Sequence, residues 1–305
     1  HVDLEKVPLK FGGLKPWEIF VSESQERMTL VVDGKCWDRL VDLAQAHEVE
    51  LSHIGEFTSD EKLRVSFGEK LVALLDLDFL HDGVPTKELT SRWKAPSLDQ
   101  PDLEEPTHFN DTLLRLLGSL NVCSREPIIR QYDHEVQGKS IIKPLMGPGQ
   151  EGPQDAAVMR LNFDSYEGLA VSNGICPRYG DIDPYHMAAG AFDEAVRQII
   201  AVGGKLPDPH DPQTTFWSVN DNFCMPDVVY DPESNPDGHL KLAKLVRMCD
   251  ALYDQSIFFN VPMTSGKDSM KNDYRHQDTK ISIPPTILFS MVSGIRDVRK
   301  TVTSD

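Results

Sequence analysis

Val261-Pro262-Met263-Thr264-Ser265-Gly266-Lys267-Asp268-Ser269-Met270 is the stretch around which the second half of the chain is read. The apolar run Ile257-Phe258-Phe259 ahead of it reads as strand, and the stretch itself as a small, flexible turn. Its parts suit a phosphate site. Gly266 lets a polyanion approach the backbone, Lys267 offers a point charge, and Asp268 can hold Mg²⁺. It is not a P-loop, because Val261 stands where that motif needs its first glycine. A polar surface turn would use the same residues, so the case depends on other segments that could meet this one.

The chain has 305 residues, 40% of them apolar, with 13 Phe and 4 Trp, which suits roughly two globular domains. A formal charge of −17 argues against nucleic acid across the surface and against docking on anionic membrane. Five cysteines, at 36, 123, 176, 224 and 249, form no CxxC, so neither a disulfide framework nor a zinc site is expected. With no signal-peptide pattern and no apolar run of transmembrane length, the cytosol is the expected compartment. The start at His1, without Met, suggests a piece of something longer.

The expected fold class is α+β, with mixed α and β elements, in three parts: 1–84, 85–126 and 127–305. In the first, Thr29–Val32 reads as strand, Asp33-Gly34 as turn, and Trp37, Leu40, Val41 and Ala44 as one helix face. Further strands are expected around Leu51–Phe57 and Lys62–Phe67. The second part is rich in proline and acid, a linker with one docking helix near Asp111–Leu120. In the third, Ala156–Phe163 and Glu167–Ser172 read as two strands joined by a short turn. Asp183 as N-cap and Pro184 as first residue open a helix that stops at Gly203-Gly204. A second helix is expected over Leu240–Tyr253, with strands near Ile257–Met263 and Ile281–Val292.

The chemical candidates each have a plain alternative. Asp155, just ahead of a strand, can hold a cation at a sheet rim, or simply cap its own turn. Glu194 and Gln198, four apart on the helix, share a face beside the apolar stripe Ala188, Phe192, Val196 and Ile199. They could ligate Mg²⁺ or form a solvated face. Asp221, in Ser218-Val219-Asn220-Asp221-Asn222, reads as a functional loop or an Asx-turn. Lys143 could meet phosphate or be plain surface. Glu23, Ser24 and Gln25 offer a carboxylate, a hydroxyl and an amide in a row. All three reach one ligand only from a loop or bulge; the alternative is a polar strand entry. No spacing signals a Ser or Cys nucleophile.

Several strings, in this order, resemble phosphoribosylformylglycinamidine synthase, the amidine-forming ligase of purine synthesis. They are Lys-Pro-Trp-Glu-Ile with Ser-Glu-Ser-Gln-Glu-Arg-Met (15–28), Tyr-Asp-His-Glu-Val-Gln-Gly (132–138) and Gly-Pro-Gln-Asp-Ala-Ala-Val (152–158). Ser-Asn-Gly-Ile-Cys-Pro-Arg-Tyr (172–179), Asp-Pro-Tyr (183–185), Thr-Ser-Gly-Lys-Asp-Ser-Met (264–270) and Ile-Pro-Pro-Thr (283–286) complete the set. The resemblance implies the later part of an AIR-synthetase-like C-terminal domain, a linker, and then an AIR-synthetase-like N-terminal, nucleotide-binding domain. It implies ATP or ADP, Mg²⁺ and formylglycinamide ribonucleotide as ligands. Carried over by position, Glu23, Ser24 and Gln25 would touch substrate, Ser269 substrate or nucleotide, and Asp221 and Gly266 nucleotide; Lys267 and Lys143 stand as candidate phosphate cations by residue type. Asp155, Glu194, Gln198 and Asp268 would hold metal, although Gln198 stands where the family has Asn. Lys267-Asp268 resembles the large, single-chain form. The domain with the family's catalytic His has no counterpart here, so no catalytic residue is assigned and the isolated chain is expected to lack synthase activity. The remaining synthase domains or subunits and a glutaminase are the implied partners. A non-catalytic ADP/Mg-binding module, or another ATP-using member of the superfamily, would share these features. The shared expectation is that Asp155, Glu194 and Asp268 converge around a magnesium–polyphosphate.

Overall fold

The computed structural model describes every residue except Ser24, Gln25, Glu26, His134, Pro212, Asp278 and Asp305. The chain divides into two compact units, His1–Glu88 and Leu89–Asp305.

The first unit carries β1 (Val2–Asp3), α1 (Pro16–Phe20), α2 (Trp37–Ala46), β2 (Lys62–Phe67), β3 (Lys70–Asp76) and α3 (Leu77–Asp82). β1 pairs parallel with β2, and β2 pairs antiparallel with β3. Helix α1 starts on Pro16, and the Glu18 carboxylate accepts the Lys15 backbone N–H at 2.7 Å; this satisfies an amide the helix start would leave unpaired. Leu4, Ile19 and Val65 form the buried apolar cluster, with Val2, Val7, Leu14, Leu63 and Ala73 against it. Two expected strands are absent. Thr29–Val32 is extended chain with Leu30 and Val31 exposed, because no described strand lies beside it to accept its hydrogen bonds. From Leu51–Phe57 only Gly55 bridges Val2, where a side chain on Gly55 would strike the His1 carbonyl. Strand β3 and helix α3 were not expected.

In the second unit, residues 94–108 form no helix or strand. Helices α4 (Phe109–Leu117) and α5 (Glu126–Ile129) follow, then β4 (Ser140–Ile142), β5 (Leu145–Met146), β6 (Gly152–Pro153), β7 (Ala157–Arg160) and β8 (Gly168–Gly174). Next come α6 (Pro184–Ala201), β9 (Trp217–Cys224), α7 (Gly238–Phe259), β10 (Met263–Ser269), β11 (Asp273–His276), β12 (Thr279–Ser282) and β13 (Thr286–Ile295). Six strands form one mixed sheet in the order β10-β9-β13-β8-β7-β4; β5–β6 and β11–β12 are separate two-stranded ribbons. Among the described residues no helix is long and apolar enough to cross a membrane.

Helix α6 begins as its sequence dictates. The Asp183 carboxylate accepts the Tyr185 N–H at 2.9 Å and also binds the Arg247 guanidinium through both oxygens, at 3.0 and 2.6 Å. The chain turns away at Gly203, whose φ of 101° suits a residue without Cβ. The helix rests on β8 so closely that a Cβ on Gly174 would lie 1.8 Å from the Ala191 carbonyl. Alternate residues of β9 and β13, among them Val219, Phe223, Ile287, Phe289 and Met291, join Phe192, Val196 and Ile199 of α6 and Met248 and Ala251 of α7 in one core.

The stretch read as strand-then-turn differs from that expectation. Ile257-Phe258-Phe259 is the last turn of α7, which no glycine or proline interrupts before Asn260 adopts φ 54°. Phe259 stacks on Phe192 with centroids 5.8 Å apart, tying that turn to the core. Met263–Ser269 is no turn but a strand, parallel to β9 along one edge of the sheet. Its polarity follows from that position, since Thr264 to Asp268 are exposed. The expected strand 281–292 is two strands, because Pro284-Pro285 cannot carry the ladder across.

Candidate functional site

Two clusters of candidate side chains form in the second unit. The first arises where strand pairing ends. β7 begins only at Ala157, paired to Val171, so the β8 residues beyond lose their partner on that side. Helix α6 supplies substitutes. Gln198 Oε1 accepts the Asn173 N–H at 3.3 Å, and Glu194 Oε2 accepts the Ile175 N–H at 2.8 Å. Asp155 lies just ahead of β7, and with Glu194, Gln198, Asp193 and Arg197 it lines a cleft of about 340 Å³. The neighbouring Cys176 thiol has its pKa pushed up, first by burial and then by the Glu194 carboxylate. Lys143 ion-pairs with Glu135. It stands next to Pro144, whose carbonyl accepts the Gln154 N–H at 3.1 Å, so it belongs to the chain crossing beside Asp155.

The second cluster lies on the parallel pair β9–β10, where Gly266 stands opposite Asp221. Asp221 Oδ1 is buried without a hydrogen-bond partner. Burial, then the nearby Asp268 carboxylate, push the Asp221 pKa up, and a hydrogen bond from the Lys267 backbone N–H opposes them. Lys267 and Asp268 are exposed along the edge strand. Ser269 is held by Asn272, whose Nδ2 donates to the Ser269 carbonyl at 2.7 Å and to the Met225 carbonyl at 3.2 Å. Asn272 thus laces together the carboxyl ends of β9 and β10, the end of a parallel pair where ligands bind in open α/β sheets.

The four candidate metal ligands therefore do not converge within this chain. Asp155, Glu194 and Gln198 share a cleft, but Asp268 sits on β10, four strand spacings from β7, or about 19 Å. Among the described residues no three His, Cys, Asp or Glu side chains are grouped to hold a metal ion. The reason is the edge-strand position of β10, which the turn reading did not anticipate. In the first unit Glu23 is exposed just after α1, while Ser24 and Gln25 lie outside the described residues.

The sequence reading missed Asn272 and a polar clamp behind it. Lys241 Nζ and Lys280 Nζ both donate to Asn235 Oδ1, at 2.9 and 2.7 Å, and Lys241 also reaches Ser282. Lys241 is buried, so the clamp fixes the β11–β12 ribbon against the start of α7. Asn235 was legible only as one more polar residue in a loop of Asp, Pro and Gly.

Residues 1–68 match the family described as AIR synthase related protein, C-terminal domain. The chain is 32% identical over 311 residues to phosphoribosylformylglycinamidine synthase subunit PurL of Picrophilus torridus, covering 100% of this chain and 38% of the relative. PurL of Methanopyrus kandleri is 32% identical over 304 residues, 97% of this chain and 37% of that protein. Over its whole length the chain is similar to part of PurL. It spans less than two fifths of these curated relatives. Among solved structures, Thermotoga maritima PurL complexed with AMPPCP superposes with a TM-score of 0.63 at 26% identity, covering 99% of this chain and 44% of that one. The T. maritima PurLQS structure shares the fold, with a TM-score of 0.66 at 24% identity over 100% of this chain and 43% of that one. The mixed α and β architecture and the PurL resemblance implied by the sequence motifs are both found.

Proposed function

We propose that this chain is part of a phosphoribosylformylglycinamidine synthase and supplies ligand-binding groups for the ATP-dependent amidation of formylglycinamide ribonucleotide. The observation that carries this reading is similarity to PurL along the entire chain, through both units. PurL of T. maritima has been captured with ADP and with AMPPCP, which supports a nucleotide as ligand here.

In the proposed reaction the substrate amide oxygen attacks the γ-phosphorus and ADP departs. Ammonia then adds to the activated carbon, and inorganic phosphate leaves with the original oxygen. Asp221, Lys267 and Lys143 are the proposed nucleotide contacts, with Gly266 part of the same site opposite Asp221. Glu23, Ser24, Gln25 and Ser269 are the proposed substrate contacts. The oxygens of Asp155, Glu194 and Gln198 are the hard donors that Mg²⁺ prefers, and they line one cleft; Asp268 would serve metal apart from them. Mg²⁺ bound there would offset phosphate charge. Glu194 and Gln198 already hold backbone amides, so their oxygens are fixed in place before any cation arrives. The remaining synthase domains or subunits and a glutaminase as ammonia source are the proposed partners, in the cytoplasm.

Calorimetry of the chain with Mg-ADP tests this reading. Binding is expected, and Glu194→Ala is expected to weaken it tenfold or more, the scale of losing one charge-assisted ligand, about 1.4 kcal/mol. A folded wild-type chain that takes up no nucleotide would overturn the nucleotide assignment.

A further inference from the structure

Gly266 was read as a glycine that lets phosphate reach the backbone. The structure gives its missing side chain another occupant. A Cβ built on Gly266 would lie 2.1 Å from Asp221 Oδ1, 3.0 Å from Cγ and 3.4 Å from Oδ2. All three of its nearest neighbours are therefore atoms of one carboxylate. That carboxylate belongs to the residue directly opposite on β9, and its Oδ1 is buried over the glycine. Gly266 does not adopt a left-handed backbone conformation, so the position does not demand glycine on conformational grounds. The demand comes from across the strand pair.

We propose that Gly266 is a positioning residue: its bare Cα is the seat of the Asp221 carboxylate, and it serves ligand capture through Asp221 rather than through direct approach of a phosphate. Seated there, the carboxylate has its pKa raised by burial and by the Asp268 charge, against the pull of the Lys267 backbone N–H. Any side chain at 266 evicts it. Because a carboxylate on one rotatable stem moves more cheaply than a paired strand, Gly266→Ala should rotate Asp221 out and leave β10 in register. The functional half of this inference rests on the nucleotide reading above; the steric half does not.

Two measurements test it. A crystal structure of Gly266→Ala should show β10 still paired with β9 and the Asp221 carboxylate turned away from residue 266. A carboxylate that stays in place while β10 shifts would overturn the seat. Calorimetry with Mg-ADP should show Gly266→Ala and Asp221→Ala each weakening binding by a similar factor, tenfold or more. The double variant should then be no weaker than Asp221→Ala alone. Losses that multiply would mean that the methyl added at position 266 blocks the ligand itself, and would overturn the positioning role. If the wild-type chain binds no nucleotide, the functional reading fails while the crystal structure still decides the seat. Should Asp221→Ala fail to fold, Asp221→Ser takes its place, since it too empties the space over Gly266.

Discussion

The two units of this chain bury apolar surface in contrasting ways. In the second, helices α6 and α7 and the sheet contribute to one core in which Phe192, Ile199, Val219, Ile287, Phe289 and Met291 are fully enclosed. In the first, the buried cluster is Leu4, Ile19 and Val65, while Trp17, Met28, Val31 and Phe57 lie open. Burial on that smaller scale supplies far less of the free energy that offsets chain entropy. The contrast teaches that similarity covering a whole sequence need not mean stability spread evenly along it. Site residues anchored to the larger core are held by the sheet. Glu23, just after α1, lies in the unit with the small one.

The largest expected effect tests the second unit. The Phe192 ring packs edge-on against Phe289, with centroids 5.2 Å apart, and stacks on Phe259. Phe192→Ala is expected to cost about 3–5 kcal/mol, the range for emptying an aromatic site in a close-packed core. Denaturant unfolding followed by circular dichroism measures it. A cost below about 1 kcal/mol would mean that this core is loosely packed, and the contrast would vanish.

A middle-sized effect comes from two ion pairs, one in each unit. In the second unit burial tends to raise the Asp183 pKa, but Arg247 and the Tyr185 N–H outweigh it, so the value is lowered. In the first, the Thr58 hydroxyl and then the Arg64 guanidinium hold Asp60 down to about 2. Both folded-state values lie below the unfolded one. Each pair therefore stabilises fully above the ordinary carboxylate range, near 3.9, and loses that stabilisation as pH falls through the lowered value. Asp183 also caps α6 and is mostly enclosed, so Asp183→Ala is expected to cost about 1–2 kcal/mol near neutral pH. The difference from wild type should shrink toward pH 2. Asp60→Ala should change neutral-pH stability much less, since solvent screens that exposed pair. Melting curves of both variants across this pH range provide the check. An Asp60 effect as large as that of Asp183 would remove the distinction.

How far these features were legible depends on whether a local rule or a neighbour decides the conformation. The cap of α6 was legible because Asp-Pro acts within its own turn. The β7–β8 pair was legible from two apolar runs close in sequence. Strand β10 was not, because its polarity comes from lying at the sheet edge, a fact fixed by β9 some forty residues earlier. The tail of α7 was misread for a related reason. Ile-Phe-Phe fits a strand as well as a helix, and only packing on Phe192 decides. Within the site, Glu194 and Gln198 were found from helical spacing, and Asp155 from its place before a strand. The distance of Asp268 from them depends on strand order, which one sequence does not encode locally. Gly266 was recognised as special, but its partner Asp221 could be named only once the register was known.

The smallest expected effect probes the first unit where its sequence looks most hydrophobic. Trp17 belongs to α1, and 62% of its surface is open, whereas Ile19, two residues on, is 3% exposed. If burial and not residue type sets the energetics, removing the larger side chain should matter less. Trp17→Ala gives up little enclosed area and gains the best helix former at an exposed position. It is expected to shift stability by no more than about 0.5 kcal/mol. Ile19→Ala, which empties one of three enclosed apolar positions among the described residues of that unit, should cost about 2 kcal/mol or more. Denaturant titration of both variants gives the order. A larger loss from Trp17→Ala would mean that the indole is covered in solution, and the first unit would no longer differ from the second in kind.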